Sequence, residues 1–288
     1  MKSNVIFSTG QGGLPMLRVE TAASEMALYL HGAHVVEFRK KSEPQPILWM
    51  SNKSRFESGK AIRGGVPVIF PWFGPREGKA SHGFARTAEW ELKGIEFLAE
   101  ERVAVVLKLK PTALSPEYSQ CEVTFRVIVS EVLDMELHVQ NAPGGTSIEF
   151  EQCLHTYFTI GDIDSVSVVG LKSSTFVDRL GAPGEHLETG ESIQISSEFD
   201  RTYQNTTAAV EIRDRSFLRT ILVEKEGSRS TVVWNPWIEK SKALGEFEKG
   251  AYRGMICVES GCIGAYATHL NPGAHSVMKV RLSSRPGA

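Results

Sequence analysis

The side chains with the most chemical potential early in the chain are crowded into one stretch. It reads Ile62-Arg63-Gly64-Gly65-Val66-Pro67-Val68-Ile69-Phe70-Pro71-Trp72-Phe73-Gly74, followed by Ser81-His82-Gly83-Phe84-Ala85-Arg86. The guanidinium groups of Arg63 and Arg86 offer rigid forks of donors that match phosphate oxygens. Gly64 and Gly65 let a backbone approach a ligand closely and can turn amide N–H groups toward an anion. Trp72 and Phe73 supply flat apolar faces of the kind a sugar ring packs against. Together these types describe a pocket for a small phosphorylated carbohydrate. The same composition also makes ordinary turns, so the reading needs support from elsewhere in the chain.

Four later segments supply it. In Ser147-Ile148-Glu149-Phe150-Glu151-Gln152-Cys153-Leu154-His155-Thr156-Tyr157-Phe158, an extended backbone would put Glu149, Glu151, Cys153, His155 and Tyr157 on one face. Ile148, Phe150, Leu154 and Phe158 would then face the core. The polar face is either the ligand side of a sheet or a solvated outer face. Met255-Ile256-Cys257-Val258-Glu259-Ser260-Gly261 is apolar up to Glu259. A carboxylate closing a buried strand is desolvated, which raises its pKa toward the range useful for proton transfer, although such a side chain can also reach water. Val232-Val233-Trp234-Asn235-Pro236-Trp237 adds indole and amide donors. Asp200, in Glu198-Phe199-Asp200-Arg201-Thr202-Tyr203, is suited either to sugar hydroxyls or to a structural ion pair.

The elements that must hold these groups are strands. Val103–Lys110, Cys121–Val129, Met135–Gln140, Val166–Val169 and Ser276–Leu282 combine β-branched residues with partial alternation. Asn141-Ala142-Pro143-Gly144-Gly145 and Gly181-Ala182-Pro183-Gly184 punctuate them as turns. Only short stretches such as 238–244 suit a helix. The expected architecture is all-β, a large antiparallel β-sandwich, with residues 1–288 as a single domain. A chain of 288 residues buries about 75% of its unfolded surface, enough to fold without a disulfide or metal.

Composition narrows the function classes. A net charge of −2 and the absence of a basic run argue against a nucleic-acid partner. No window approaches the run of about 20 apolar residues that a membrane helix needs. The first ten residues turn polar too early for an export signal. Cys121, Cys153, Cys257 and Cys262 lack zinc-type spacing and read as free thiols of a cytoplasmic protein. His31 and His34 fall on opposite faces of a strand and make no metal site. Gly10-Gln11-Gly12-Gly13 lacks the strand-to-helix setting of a nucleotide loop and reads as a turn.

The segments above, with Trp90, occur in an order that resembles the glucose-6-phosphate 1-epimerases. These are hexose-6-phosphate mutarotases of the aldose 1-epimerase (galactose mutarotase-like) superfamily. The resemblance runs from about Thr21 to Leu282; its motifs are specific in combination, though each alone is weak. It implies a galactose mutarotase-like sandwich with a cleft on one concave sheet. It also implies His155 as general acid and Glu259 as general base. By the same resemblance Arg63 and Arg86 hold the phosphate, His82 lies near the reacting end of the sugar, and Asp200 binds hydroxyls. Trp72, Phe73 and Trp234 would wall the pocket. Lys242-Ala243-Leu244-Gly245-Glu246-Phe247 departs from relatives that carry an Asp-containing turn, which leaves that loop's contact with substrate open.

The implied reaction opens a hemiacetal and recloses it on the other face, using no metal and no other cofactor. Alternatives are a sugar-binding module without turnover, a mutarotase for unphosphorylated aldoses, or, more remotely, a glycosidase. The expected partner is a small sugar phosphate; which hexose, and the oligomeric state, are not legible in the sequence.

Overall fold

A computed structural model describes residues 3–287. Nine strands form one antiparallel sheet in the order Ser192–Ile193, Val166–Val169, Val210–Asp214, Arg219–Glu226, His275–Pro286, Leu133–Asn141, Cys121–Val129, Val103–Leu109, Trp90–Phe97. A second sheet runs Glu185–Leu187, Thr175–Asp178, Phe199–Gln204, Ser230–Asn235, Met255–Cys262, Gln152–Leu154, Val68–Ile69, with Tyr157–Thr159 also paired to Met255–Cys262. The N-terminal strands Asn4–Thr9, Pro15–Glu20, Ser24–Tyr29 and His34–Lys40 make a third. The all-β sandwich expected from the strand pattern is what the chain forms.

Alternation explains why the sheets face as they do. Val233, Ile256 and Val258 of the second sheet join Leu107, Phe125, Leu137 and Leu282 of the first in one buried apolar cluster. Each such side chain contributes about 1.5–3 kcal/mol when fully buried. Their chain neighbours Trp234, Cys257 and Glu259 therefore point to the opposite face. Met26, Leu28, Val35 and Phe38 tie the N-terminal sheet to the same cluster.

Two expectations need adjustment. Residues 147–158 are not one strand but three: Ile148–Phe150, Gln152–Leu154 and Tyr157–Thr159. The first pairs with Thr268–Leu270 and leaves the main sheet, which carries Glu149 to an exposed pairing with His269 at 3.2 Å. Gly65 does not offer its N–H to an anion. Gly65, at φ 59°, lies so close to Val35 that a Cβ would come within 2.2 Å of its carbonyl, and its N–H is spent on the Trp49 carbonyl at 2.7 Å. It is a packing glycine that pins the loop bearing Arg63. Gly83, at φ 68°, does the same for the His82–Arg86 loop against the Phe70 carbonyl.

The single α-helix among the described residues, Trp237–Leu244, ends at Gly245, whose positive φ and N–H bond to the Lys242 carbonyl close it. Residues 11–13 form a 3-10 turn, and all four cysteines are free and buried. Among the described residues no helix is long and apolar enough to cross a membrane.

Candidate active site

Register brings the polar side chains together. Asp200 pairs with Trp234, Trp234 with Cys257, and Cys257 with Tyr157, so four side chains form a row across one face of the second sheet. Leu154 pairs with Ser260 and Tyr157 with Cys257, which sets His155 opposite Glu259. The ladder loosens there, because the His155 N–H donates to the Pro67 carbonyl at 3.1 Å instead. His155 Nδ1 lies 3.3 Å from Glu259 Oε1, yet is off line for a hydrogen bond and has no other partner. The other carboxylate oxygen accepts from the Cys153 thiol at 3.6 Å.

His155 is 7% exposed and Glu259 1%. Burial first, and then the nearby charge of Asp200, pushes the Glu259 carboxyl well above its usual range. Burial, followed by His82, Arg86 and Arg63, holds the His155 imidazole well below its own. Without substrate both shifts favour the uncharged forms, a protonated carboxyl and a neutral imidazole. Burial also raises Asp200 to about 6 and lowers His82 to about 3.

Aromatic rings orient the pair. His155 stacks on Tyr157 with centroids 4.7 Å apart and planes at 6°, and meets Trp234 edge-on at 6.1 Å. His82 reaches it from the 81–86 loop at 5.7 Å. The His82 Nδ1 accepts from the Gly74 N–H at 3.2 Å, which assigns the ring proton to Nε2 on the side away from Gly74. Phe73 packs edge-on against His82 at 4.7 Å, and its N–H is held by Glu151 at 2.7 Å.

The cations divide unevenly. Arg63 donates to Tyr157 Oη at 3.0 Å and to Glu246 Oε2 from both Nε and Nη2, at 3.0 and 2.6 Å. Arg86 makes one bond, to the Ser81 carbonyl at 2.8 Å; its Nε is buried without a partner, and burial pulls it down to about 10. Arg179 lies over Phe73 at 5.0 Å, with Nε 3.7 Å from Asp200.

The structure thus gathers His155, Glu259, His82, Arg63, Arg86, Phe73, Trp234 and Asp200 about one face. Trp72 stands apart: its indole donates to the Ala80 carbonyl at 2.9 Å, and its ring packs on Phe84 and under Arg76. Sequence reasoning missed Tyr157, Glu246 and Arg179 as site members. Tyr157 was on the correct alternating face and could have been included. Glu246 lies in the 242–247 loop whose contact with substrate the sequence left open, whereas nothing local marks Arg179, which enters only through long-range contacts. His155, Cys257 and Glu259 are also the group among the described residues whose donor atoms could hold a metal ion, all within 4.8 Å of one another.

The Arg63–Glu246 pair gives a direct test of whether a substrate phosphate reaches Arg63. Glu246 competes with any phosphate for the same guanidinium fork. Glu246→Gln should lower KM for a sugar phosphate by up to about tenfold, or 1.4 kcal/mol. An unchanged KM in steady-state assays would mean that Arg63 does not reach the phosphate.

Comparison with known proteins shows the family. A family profile described as aldose 1-epimerase matches residues 15–283. The chain belongs to the aldose 1-epimerase family. A relative from Escherichia coli strain K12, named "Putative glucose-6-phosphate 1-epimerase", is 32% identical over 283 residues, covering 94% of this chain and 92% of the relative. One of the same name from Cenchrus ciliaris is 31% identical over 270 residues, covering 91% of this chain and 82% of its own length. A solved structure from Salmonella typhimurium, titled a "putative mutarotase", superposes with a TM-score of 0.85 at 28% identity, covering 95% of this chain and 91% of that one. As a family member this aldose epimerase interconverts sugar anomers.

Proposed function

We propose that this epimerase acts on a hexose 6-phosphate, in the cytoplasm, with residues 1–288 forming one galactose mutarotase-like domain. The observation that carries the reading is the His155–Glu259 contact at 3.3 Å, set beside an arginine whose buried Nε has no partner. Arg86 would bind the phosphate first, with Arg63 joining as Glu246 releases it. The phosphate charge offsets the two guanidinium groups that disfavour an imidazolium, so His155 gains the proton that Glu259 gives up. Glu259 then takes the proton of the anomeric hydroxyl while His155 protonates the ring oxygen. The C1–O5 bond breaks and the C1–O1 bond becomes a carbonyl. Rotation about C1–C2 presents the other face, and the same transfers in reverse close the ring. Each positioned group contributes roughly 10²–10⁴-fold. Asp200 and His82 would bind hydroxyls, and Phe73 and Trp234 would wall the ring. These proton transfers need no cofactor.

Magnetisation-exchange NMR on glucose 6-phosphate and glucose tests the assignment. The expected result is faster anomer exchange for the phosphorylated sugar. Equal acceleration would remove the phosphate reading, and no acceleration of either would remove the acid/base assignment. A second reading, an epimerase for a neutral aldose, is favoured by Glu246 already occupying Arg63. The same measurement separates the two.

A further inference from the structure

The acid/base scheme uses His155 and Glu259 but has no task for the two thiols beside them. Cys257 lies two residues before Glu259 on the same strand and face, and Cys153 contacts the carboxylate from the neighbouring strand. The His155 imidazole, the Cys257 thiol and the Glu259 carboxylate bring one nitrogen, one sulfur and one oxygen within 4.8 Å of one another. These residues are 7%, 0% and 1% exposed. His155 Nδ1, which points toward the carboxylate, has no hydrogen-bond partner. Stacking on Tyr157 holds its ring in plane.

We propose that these three side chains bind one zinc-type divalent cation, and that the bound metal closes the sugar site. The donor set selects the metal: a thiolate with imidazole and carboxylate suits zinc and its congeners, whereas magnesium and calcium take oxygen ligands. Zinc bonds of about 2.0–2.3 Å put tetrahedral donors roughly 3.3–3.8 Å apart, so side-chain shifts of about 1 Å complete the cage and leave a fourth position for water. Charge balances as well. Loading the metal releases the Cys257 thiol proton and the Glu259 carboxyl proton to solvent, and the two negative donors cancel the two positive charges inside the buried site. Affinity therefore rises with pH. Cys153, still a thiol, donates to the coordinated carboxylate as an outer partner. The metal occupies the lone pairs that proton transfer needs, so it inhibits in competition with sugar.

Cobalt(II) titration of the reduced, metal-free protein tests the site without reference to turnover. The expected result is one equivalent per chain, with a thiolate-to-cobalt charge-transfer band that Cys257→Ser abolishes and Cys121→Ser retains. Glu259→Gln supplies a second check that keeps the thiol: it should weaken cobalt binding by more than the roughly 10–100-fold that outer partners carry. No band, a band that survives Cys257→Ser, or unchanged affinity in Glu259→Gln would overturn the proposal. The inhibition, unlike the binding, rests on the acid/base assignment. Zinc should raise the apparent KM for sugar phosphate in the wild type and spare Cys257→Ser. Binding that left anomer exchange untouched would uphold the donor set and overturn the assigned roles of His155 and Glu259.

Discussion

Glu259→Gln should lower kcat for anomer exchange by about 10²–10⁴-fold while making the protein more stable at alkaline pH. The two effects have one cause, a carboxyl held in a buried site where ionisation is disfavoured. Its folded pKa is raised well above the ordinary 4.5, chiefly by burial. Above pH 4.5 the unfolded chain loses this proton and the native chain keeps it, so this contribution is complete at lower pH and is lost as pH rises toward the folded value. His155 works in the other direction: its depressed folded pKa penalises the native state only below about pH 6.5, where the unfolded imidazole is charged. From about pH 6.5 upward the carboxyl acts alone, with a slope of up to about 1.4 kcal/mol per pH unit. Glutamine removes that slope. Thermal melts should show a Tm advantage of the variant that grows across this range, while NMR exchange rates collapse. A variant that lost rate and stability together would place Glu259 in a structural role.

Arg86→Ala should raise KM for glucose 6-phosphate by roughly 10–150-fold, the equivalent of about 1.5–3 kcal/mol for a charge-assisted hydrogen bond, with kcat little changed. Among the arginines about the site, Arg86 has the buried Nε that lacks a partner, and its one bond, to the Ser81 carbonyl, leaves the fork available. The contrast with His155→Ala is the diagnostic part. That change removes a group acting on the reacting bond and should lower kcat and kcat/KM together. Steady-state kinetics of both variants, with glucose as a second substrate, separates anchoring from proton transfer. Arg86→Ala should not slow the weak reaction with glucose, because losing that guanidinium also removes one of the charges that disfavour an imidazolium at His155. Indistinguishable defects in the two variants would dissolve the division of labour.

Much of this was legible from residue types in order. Alternation across 147–158 put Cys153, His155 and Tyr157 on one face and Leu154 and Phe158 on the other, which is how they lie. Alternation held at Glu149 too, between buried Ile148 and Phe150, but that piece pairs with Thr268–Leu270 rather than with the main sheet, which leaves the carboxylate in solvent instead of in the site. The glycine pair was legible as special, but its purpose was not. Only the proximity of Val35 shows that Gly65 makes room for its own chain.

Strand character, the sandwich class and the chemical types of the acid/base pair follow from local pattern, because side-chain alternation is a property of the extended backbone alone. Three things came from the assembled sheet: His155 meeting Glu259, Glu246 occupying Arg63, and the thiols of Cys153 and Cys257 flanking the carboxylate. The first and third depend on the register between strands distant in the chain, the second on two loops that the fold brings together, and all on the desolvation that follows. No local stretch of sequence encodes any of these.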